Sequence, residues 1–278
     1  MATPPRFHCG RYALDLTRPH IMGIVNVTPD SFSDGGKFVA VDHAVSHAMQ
    51  LVEDGADILD IGGESTRPGA IPVSLEDELR RVIPVIEALA EVTRVPLSID
   101  TYKPQVMQAA IDAGASLIND VRALQEPGAL EIAARSQAGI CLMHMQGTPQ
   151  TMQLDPKYVD VVAEVRDFLA ARMAAAKAAG IGAERIVLDP GFGFGKLTEH
   201  NIALLQALPE LLDLGRPLLV GLSRKSILGQ LTGGDVSVRL HSSIAASVLS
   251  VMKGARIVRV HDVKATADAL KVVAAVLD

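Results

Sequence analysis

Short apolar runs rich in β-branched residues recur eight times along the chain, and each ends in a polar, charged or glycine-rich cluster. They run from Ile21 to Asn26, Ile58 to Glu64, Leu97 to Asp100, Leu117 to Asp120, Ile140 to His144, Ile186 to Asp189, Leu218 to Arg224 and Ile257 to Asp262. Between them, apart from polar loops, the sequence reads as helix. Runs of this length bounded by turn residues fit strands buried on both faces, and strands alternating with helices imply parallel βαβ units. Eight such units predict an α/β fold of the closed (β/α)8 TIM-barrel type. In that architecture the C-terminal strand ends and the loops after them form the active-site face, so the polar endings should converge on one mouth.

Two helices show the pattern most clearly. Ser74 reads as an N-cap, followed by acidic Glu76 to Glu78 and by Leu75, Leu79, Val82, Ile83, Ile86 and Leu89 at helical spacing. A longer stretch, Tyr158 to Ala179, places Val161, Val162, Val165, Phe168, Leu169 and Met173 at near-helical intervals and stops near Gly180. Before the first barrel strand, Phe7 to Leu16 alternate weakly around Gly10, as a short hairpin able to plug the N-terminal barrel mouth would. No linker or low-complexity block divides the sequence, so residues 1–278 are expected to form a single domain, with 1–18 as its hairpin extension.

Composition narrows the class. The chain has 278 residues and is 49% hydrophobic but only 3% aromatic, which suits a barrel interior layered with branched aliphatic side chains. A formal net charge of −6 gives no general attraction to nucleic acid or to an anionic membrane surface. Two cysteines, Cys9 and Cys141, do not suggest a disulfide framework; Cys141 lies in an apolar run and reads as core. With no signal-like apolar segment at the N-terminus and no run able to span a bilayer, a cytoplasmic protein is expected.

The chemistry gathers at the strand ends. Asn26 leads into a turn-rich loop, Val27 to Gly36, whose composition allows a plain surface connection. Its Asn26 and Asp34 could equally supply oxygen ligands to Mg²⁺, an ion that keeps few protein ligands and takes phosphate oxygens. After the second run, Gly62 to Gly69 permits tight backbone paths, and Ser65, Thr66 and Arg67 offer donors to a carboxylate or an aromatic amine; a solvated loop accounts for it too.

Asp100, Asn119 and Asp189 end strands, and Lys225 follows the seventh within Ser223 to Ser226. Single strand-end Asp residues often cap helices, but these share one face. Two carboxylates, an amide and a lysine in one apolar pocket could read the donors and acceptors of a flat nitrogen heterocycle. Asp189 to Lys196 fits neither a dinucleotide-binding nor a P-loop pattern; Phe192 or Phe194 could flank a planar ligand, or both could pack the rim. Arg259 and His261 fall on one side of the last strand and could bind phosphate, against a salt-bridged Arg and an exposed His. His144 reads as a satisfied rim histidine, and no cluster has zinc-ligand spacing.

On these residues the chain resembles the dihydropteroate synthase family, pterin-binding barrel enzymes of folate biosynthesis. The matching segments run from Asn26 to Gly36, Asp60 to Gly69, Ile99 to Pro104, Ile118 to Val121, Leu142 to Gly147, Asp189 to Lys196, Gly221 to Ser226 and Arg259 to Val263. The resemblance implies condensation of 6-hydroxymethyl-7,8-dihydropterin diphosphate with 4-aminobenzoate to give 7,8-dihydropteroate and diphosphate. It assigns Asp100, Asn119, Asp189 and Lys225 to the pterin, and Asn26, Arg259 and His261 to the diphosphate. Asn26 and Asp34 would hold Mg²⁺, and Thr66, Arg67, Pro68 and Ser223, with Phe194 nearby, would form the aminobenzoate site. It further implies a homodimer and a sulfonamide target. One departure is His241, where the family more often has a small residue; local helix packing or a subunit contact is the feature it affects. A related methyltransferase would have no need of the diphosphate and metal constellation, a Schiff-base aldolase would use Lys225 as nucleophile, and a silent pterin-binding paralogue should have lost part of the constellation.

Overall fold

The computed structural model describes residues 5–27, 37–67 and 69–277. Two short strands, β1 (Arg6–Cys9) and β2 (Tyr12–Asp15), pair antiparallel about Gly10, whose φ of +59° suits the tight turn. Eight parallel strands follow: β3 (His20–Asn26), β4 (Ile58–Gly62), β5 (Leu97–Asp100), β6 (Leu117–Asp120), β7 (Gly139–Met143), β8 (Ile186–Asp189), β9 (Leu219–Val220) and β10 (Ile257–Val260). Each pairs with its neighbour in chain order from β3 to β8, β10 joins β3 to β9, and a bridge from Leu188 to Leu218 brings β8 against the start of β9. The expected barrel is formed.

The alternation of strand side chains creates two apolar layers. Outward residues such as Leu59, Ile61, Ile99 and Ile118 pack with Val82, Ile86, Met107 and Val165 from the surrounding helices. Inward residues Met22, Ile58, Leu117, Cys141, Val187, Leu219 and Ile257 form a second cluster with Phe7, Cys9 and Leu16. The hairpin therefore plugs the barrel at the N-terminal ends of its strands, as its sequence suggested. Gly139 marks how closely it approaches: a Cβ there would lie 2.6 Å from the Phe7 ring and 2.8 Å from Cys9 Cβ. Burial of the Phe7 ring stabilises the fold by about 1.5–3 kcal/mol. Both cysteines are free and buried, and burial pushes the Cys9 thiol up to about 12.

Helix α2 (Leu75–Val92) begins as expected, with Ser74 Oγ accepting from Asp77 N at 3.1 Å. Helix α5 (Val161–Ala178) starts three residues later than the apolar pattern alone suggested. Asp160 accepts from the amides of Val162 and Ala163, each at 3.0 Å, and this cap fixes the start. The seventh run is strand only at Leu219–Val220; beyond Gly221 it leaves the sheet to form the loop that carries Ser223 and Lys225. His241 stands exposed near the start of α9 (Leu240–Met252), so it does not disturb that helix's buried Ser243, Ala246, Ser247 and Ser250. No helix among the described residues is long and apolar enough to cross a membrane.

Candidate active site

The inward period of two that fills the lower barrel with aliphatics turns polar toward the C-terminal ends. On β4 the sequence Ile58, Asp60, Gly62 points inward; on β6 it is Leu117 then Asn119, and on β10 Ile257 then Arg259. The consequence is an ionic cluster across the barrel. Arg259 Nε donates to Asp60 Oδ2 at 2.6 Å, its Nη2 donates to Asp100 Oδ2 at 2.7 Å, and Asn119 Nδ2 donates to Asp60 Oδ2 at 3.1 Å. Residues 159 and 199 positions apart in sequence thus meet through one guanidinium.

Two acceptors in this cluster have no partner: the buried Oδ1 atoms of Asp60 and Asp100. A buried carboxylate oxygen left unpaired is costly, so these atoms mark where a ligand's N–H groups would be rewarded. Asp100 is pushed up to about 7, chiefly by burial, with Arg259 opposing and the charge of Asp60 adding to the rise. Gly62 and Gly221 pack against the cluster: an added Cβ would lie 3.5 Å from Asp100 Cβ at the first and 3.8 Å from Arg259 Cβ at the second.

Asp189 and Lys225 complete this wall. Asp189 Oδ1 accepts from Gly191 N at 2.7 Å, and burial raises its carboxyl, offset by the nearby Lys225 charge. Lys225 donates to the Phe192 carbonyl and lies 4.4 Å from the centre of the Phe194 ring. Burial draws the Lys225 ammonium down to about 8, with Asp189 acting against the fall. Of the two aromatics in this turn, Phe192 is fully buried in the barrel core, whereas Phe194 is half-buried beside Lys225.

At the rim, Ser223 Oγ lies 3.0 Å from His261 Nδ1 and accepts from His261 N at 3.2 Å, which joins the loop after β9 to the end of β10. Burial, with Arg259 next, pulls His261 down to about 4, so it is a neutral imidazole at pH 7. Arg224, at φ +59°, pairs with Asp262 and turns the loop so that its neighbours Ser223 and Lys225 reach inward. Arg67 is exposed and Thr66 half-buried on the loop after β4; this loop also meets the one after β7, where Gly69 N donates to Pro149 O at 3.1 Å. Asp34 and Pro68 lie outside the described residues.

Asn26 ends β3 with its side chain exposed. One hard amide oxygen at the mouth fits an ion such as Mg²⁺ that keeps mostly water and phosphate ligands, and among the described residues no group of three or more His, Cys, Asp or Glu could hold a softer metal.

Sequence reasoning passed over Asp60 and Glu64. Asp60 was legible as the lone carboxylate inside an apolar run buried on both faces, Ile58 to Gly62. Glu64 accepts from Tyr102 OH at 3.1 Å and pairs with Lys103, which also reaches Glu78, and so ties the loop after β4 to the loop after β5. That contact joins residues 39 positions apart and left no local signal.

A near-closed barrel with a buried carboxylate, amide and cation cluster at its C-terminal mouth defines a barrel enzyme of the pterin-binding class. The family model described as "Pterin binding enzyme" matches residues 22–261. Dihydropteroate synthase of Escherichia coli (strain K12) is 54% identical over 265 residues, covering 95% of this chain and 94% of the relative, and that of Neisseria meningitidis serogroup B (strain ATCC BAA-335 / MC58) is 57% identical over 275 residues, covering 96% and 95%. Among solved structures, Xanthomonas albilineans dihydropteroate synthase with 4-aminobenzoic acid superposes with a TM-score of 0.94 at 55% identity over 99% of both chains. The Burkholderia cenocepacia enzyme complexed with 7,8-dihydropteroate gives a TM-score of 0.90 at 52% identity, over 100% of this chain and 98% of the other. The chain belongs to the dihydropteroate synthase family.

Proposed function

We propose that this chain condenses 6-hydroxymethyl-7,8-dihydropterin diphosphate with 4-aminobenzoate, forming 7,8-dihydropteroate and diphosphate. The observation that carries the reading is the convergence of Asp60, Asp100, Asn119 and Arg259, with Asp189 and Lys225 beside them, on one polar wall at the barrel mouth. A dihydropterin offers ring N–H and amino donors to Asp100 and Asp189, and acceptors to Asn119 and Lys225. Relatives whose structures hold 4-aminobenzoic acid and 7,8-dihydropteroate support both halves of the substrate pair.

The reaction breaks the bond between the exocyclic methylene carbon and the diphosphate oxygen, and the electron pair leaves with diphosphate. The electron-rich pterin stabilises the positive charge left on the methylene. The aniline nitrogen then forms the new C–N bond and releases its proton. Arg259 would offer its guanidinium and His261 a neutral imidazole N–H to the departing diphosphate. Ser223 holds the His261 ring in place, and Thr66, Arg67 and Pro68, with Phe194 near, would seat the aminobenzoate. Because aniline is already a usable nucleophile, the site needs orientation and exclusion of water more than a strong base. Asn26 and Asp34 would hold Mg²⁺, which when bound neutralises diphosphate charge.

A homodimer accords with exposed apolar Leu249 and Met252 on α9 and Val272 and Val276 on α10 (Val263–Leu277). A cytoplasmic setting accords with two unpaired buried cysteines. Sulfonamide binding is expected by analogy with the Yersinia pestis enzyme, solved as a sulfonamide drug complex.

The test supplies purified protein with both substrates and Mg²⁺ and follows dihydropteroate and diphosphate. Product from the wild type that is strongly reduced in Lys225→Ala supports the reading; a folded protein that binds pterin yet yields neither product overturns it.

A further inference from the structure

The glycine-rich turn after β8 ends in Lys196, a residue without a part in the chemistry above. Its side chain is 3% exposed, yet Nζ lies 2.8 Å from His144 Nδ1, 2.9 Å from the Gly191 carbonyl, 3.1 Å from the Phe194 carbonyl and 3.4 Å from the His144 carbonyl. Every one of these partners is neutral or held neutral: burial, then the nearby lysine, pulls His144 down to about 3. Burial pulls the Lys196 ammonium well below its ordinary range, with Asp189 acting against the fall; as a neutral amine Nζ still has two N–H donors for the Gly191 and Phe194 carbonyls and a lone pair toward His144 Nδ1. An amine buried this completely is costly unless its hydrogens are bonded, and the two short carbonyl contacts meet that need.

What it gathers is the turn itself. Gly191, Gly193 and Gly195 take φ of +69°, +78° and +63°, and the turn lies so close to the end of β7 that a Cβ at Gly191 would be 1.8 Å from the His144 oxygen and one at Gly195 2.4 Å from the Gln146 oxygen. Each carbonyl from Gly191 to Lys196 meets a donor. Lys196 takes those of Gly191 and Phe194, Lys225 that of Phe192, Gln153 that of Gly193, Tyr158 that of Gly195, and Asn201 that of Lys196. The two carbonyls fixed by Lys196 bracket the Phe192 carbonyl on which Lys225 rests and belong to the same turn as the Phe194 ring beside it.

We propose that Lys196 is a positioning residue for Lys225: by drawing the Gly191 and Phe194 carbonyls onto the end of β7, it fixes where the Lys225 ammonium stands in the pterin site. This rests on the pterin reading of that site. Acting through Lys225, Lys196 should lose its influence once Lys225 is gone, which a purely structural lysine would not.

The test is a double-mutant cycle with Lys196→Gln and Lys225→Ala, reading equilibrium affinity for 6-hydroxymethyl-7,8-dihydropterin diphosphate by calorimetry on protein verified as folded by circular dichroism. Lys196→Gln should weaken binding about tenfold in the wild-type background and by less than about twofold in the Lys225→Ala background, within the range of coupling between contacting groups. His144→Asn, which removes one partner of Nζ and leaves Lys196 in place, should show a smaller loss that also vanishes without Lys225, and it stands in if Lys196→Gln does not fold. Equal losses in both backgrounds overturn the proposal. If Lys225→Ala alone leaves affinity intact, the pterin reading itself falls and the proposal with it.

Discussion

Asp60→Asn keeps the shape of the side chain and removes the charge at the centre of the barrel cluster. Asp60 is fully buried and its Oδ2 receives both Arg259 Nε and Asn119 Nδ2. Hydrogen bonds to a charged group contribute about 1.5–3 kcal/mol against about 0.5–1.5 for neutral ones, so the exchange should cost about 1–2 kcal/mol. It stays well short of the penalty for an unpaired buried charge because Arg259 keeps Asp100. For a chain of 278 residues the unfolding entropy is about 0.6 kcal/mol per kelvin, which converts that cost into a melting temperature lower by about 2–3 °C. A second effect has a defined sign. The Asp60 charge helps raise Asp100 to about 7, so without it Asp100 ionises at lower pH. Binding that needs the Asp100 carboxylate should then persist to lower pH than in the wild type. Thermal melts and pterin affinity measured from pH 5 to 9 provide the assay. A variant with unchanged melting and an unmoved acid limb would refute the coupling of the three charged groups.

The wild type should bind the pterin best between about 7 and 8. Below the first value Asp100 takes up a proton, which removes its charge and turns one of its acceptors into a donor, and above the second Lys225 gives up its charge; affinity flat from pH 5 to 9 would contradict this. Gly139→Val drives a side chain into Phe7 and Cys9, and overpacking of this kind should cost about 1–3 kcal/mol, or about 2–5 °C in melting, with turnover per folded molecule unchanged because the hairpin sits at the opposite mouth. Arg67→Ala should raise KM for 4-aminobenzoate about tenfold or more while leaving pterin affinity within about twofold, as expected when a charge-assisted contact to the carboxylate is lost; an equal loss for both substrates would place Arg67 elsewhere.

Much of the architecture was legible because it is written in short-range periodicity. The eight runs became the eight barrel strands, and Phe7 and Cys9 alternate toward the core as the hairpin reading requires. Strand ends announced themselves through Asp100 and Asp189, since a polar residue at the close of an apolar run must go to a mouth or a cap; Asn119 stands one residue short of the end of β6, where Asp120 caps the next turn. What escaped were features set by tertiary contact. The late start of α5 depends on Asp160 capturing two amides, and the short β9 on the chain leaving the ladder after Val220. The bonds of Arg259 to Asp60 and Asp100 join strands far apart in sequence, and the same is true of Lys196 on His144. The alternative of a salt-bridged Arg259 is what the structure shows, but its two partners, Asp60 and Asp100, could not be named from a local pattern, and His261 falls just past the end of β10.

The requirement this site places on its ligand is that donors on a pterin edge would pair with the buried Oδ1 atoms of Asp60 and Asp100, and with Asp189. It is tested most directly by comparing the affinity of 6-hydroxymethylpterin with that of 6-hydroxymethyllumazine, in which the ring amino group is replaced by a carbonyl oxygen. Leaving buried acceptors unpaired should weaken lumazine binding by at least about a hundredfold. Equal affinity for the two compounds would contradict the account.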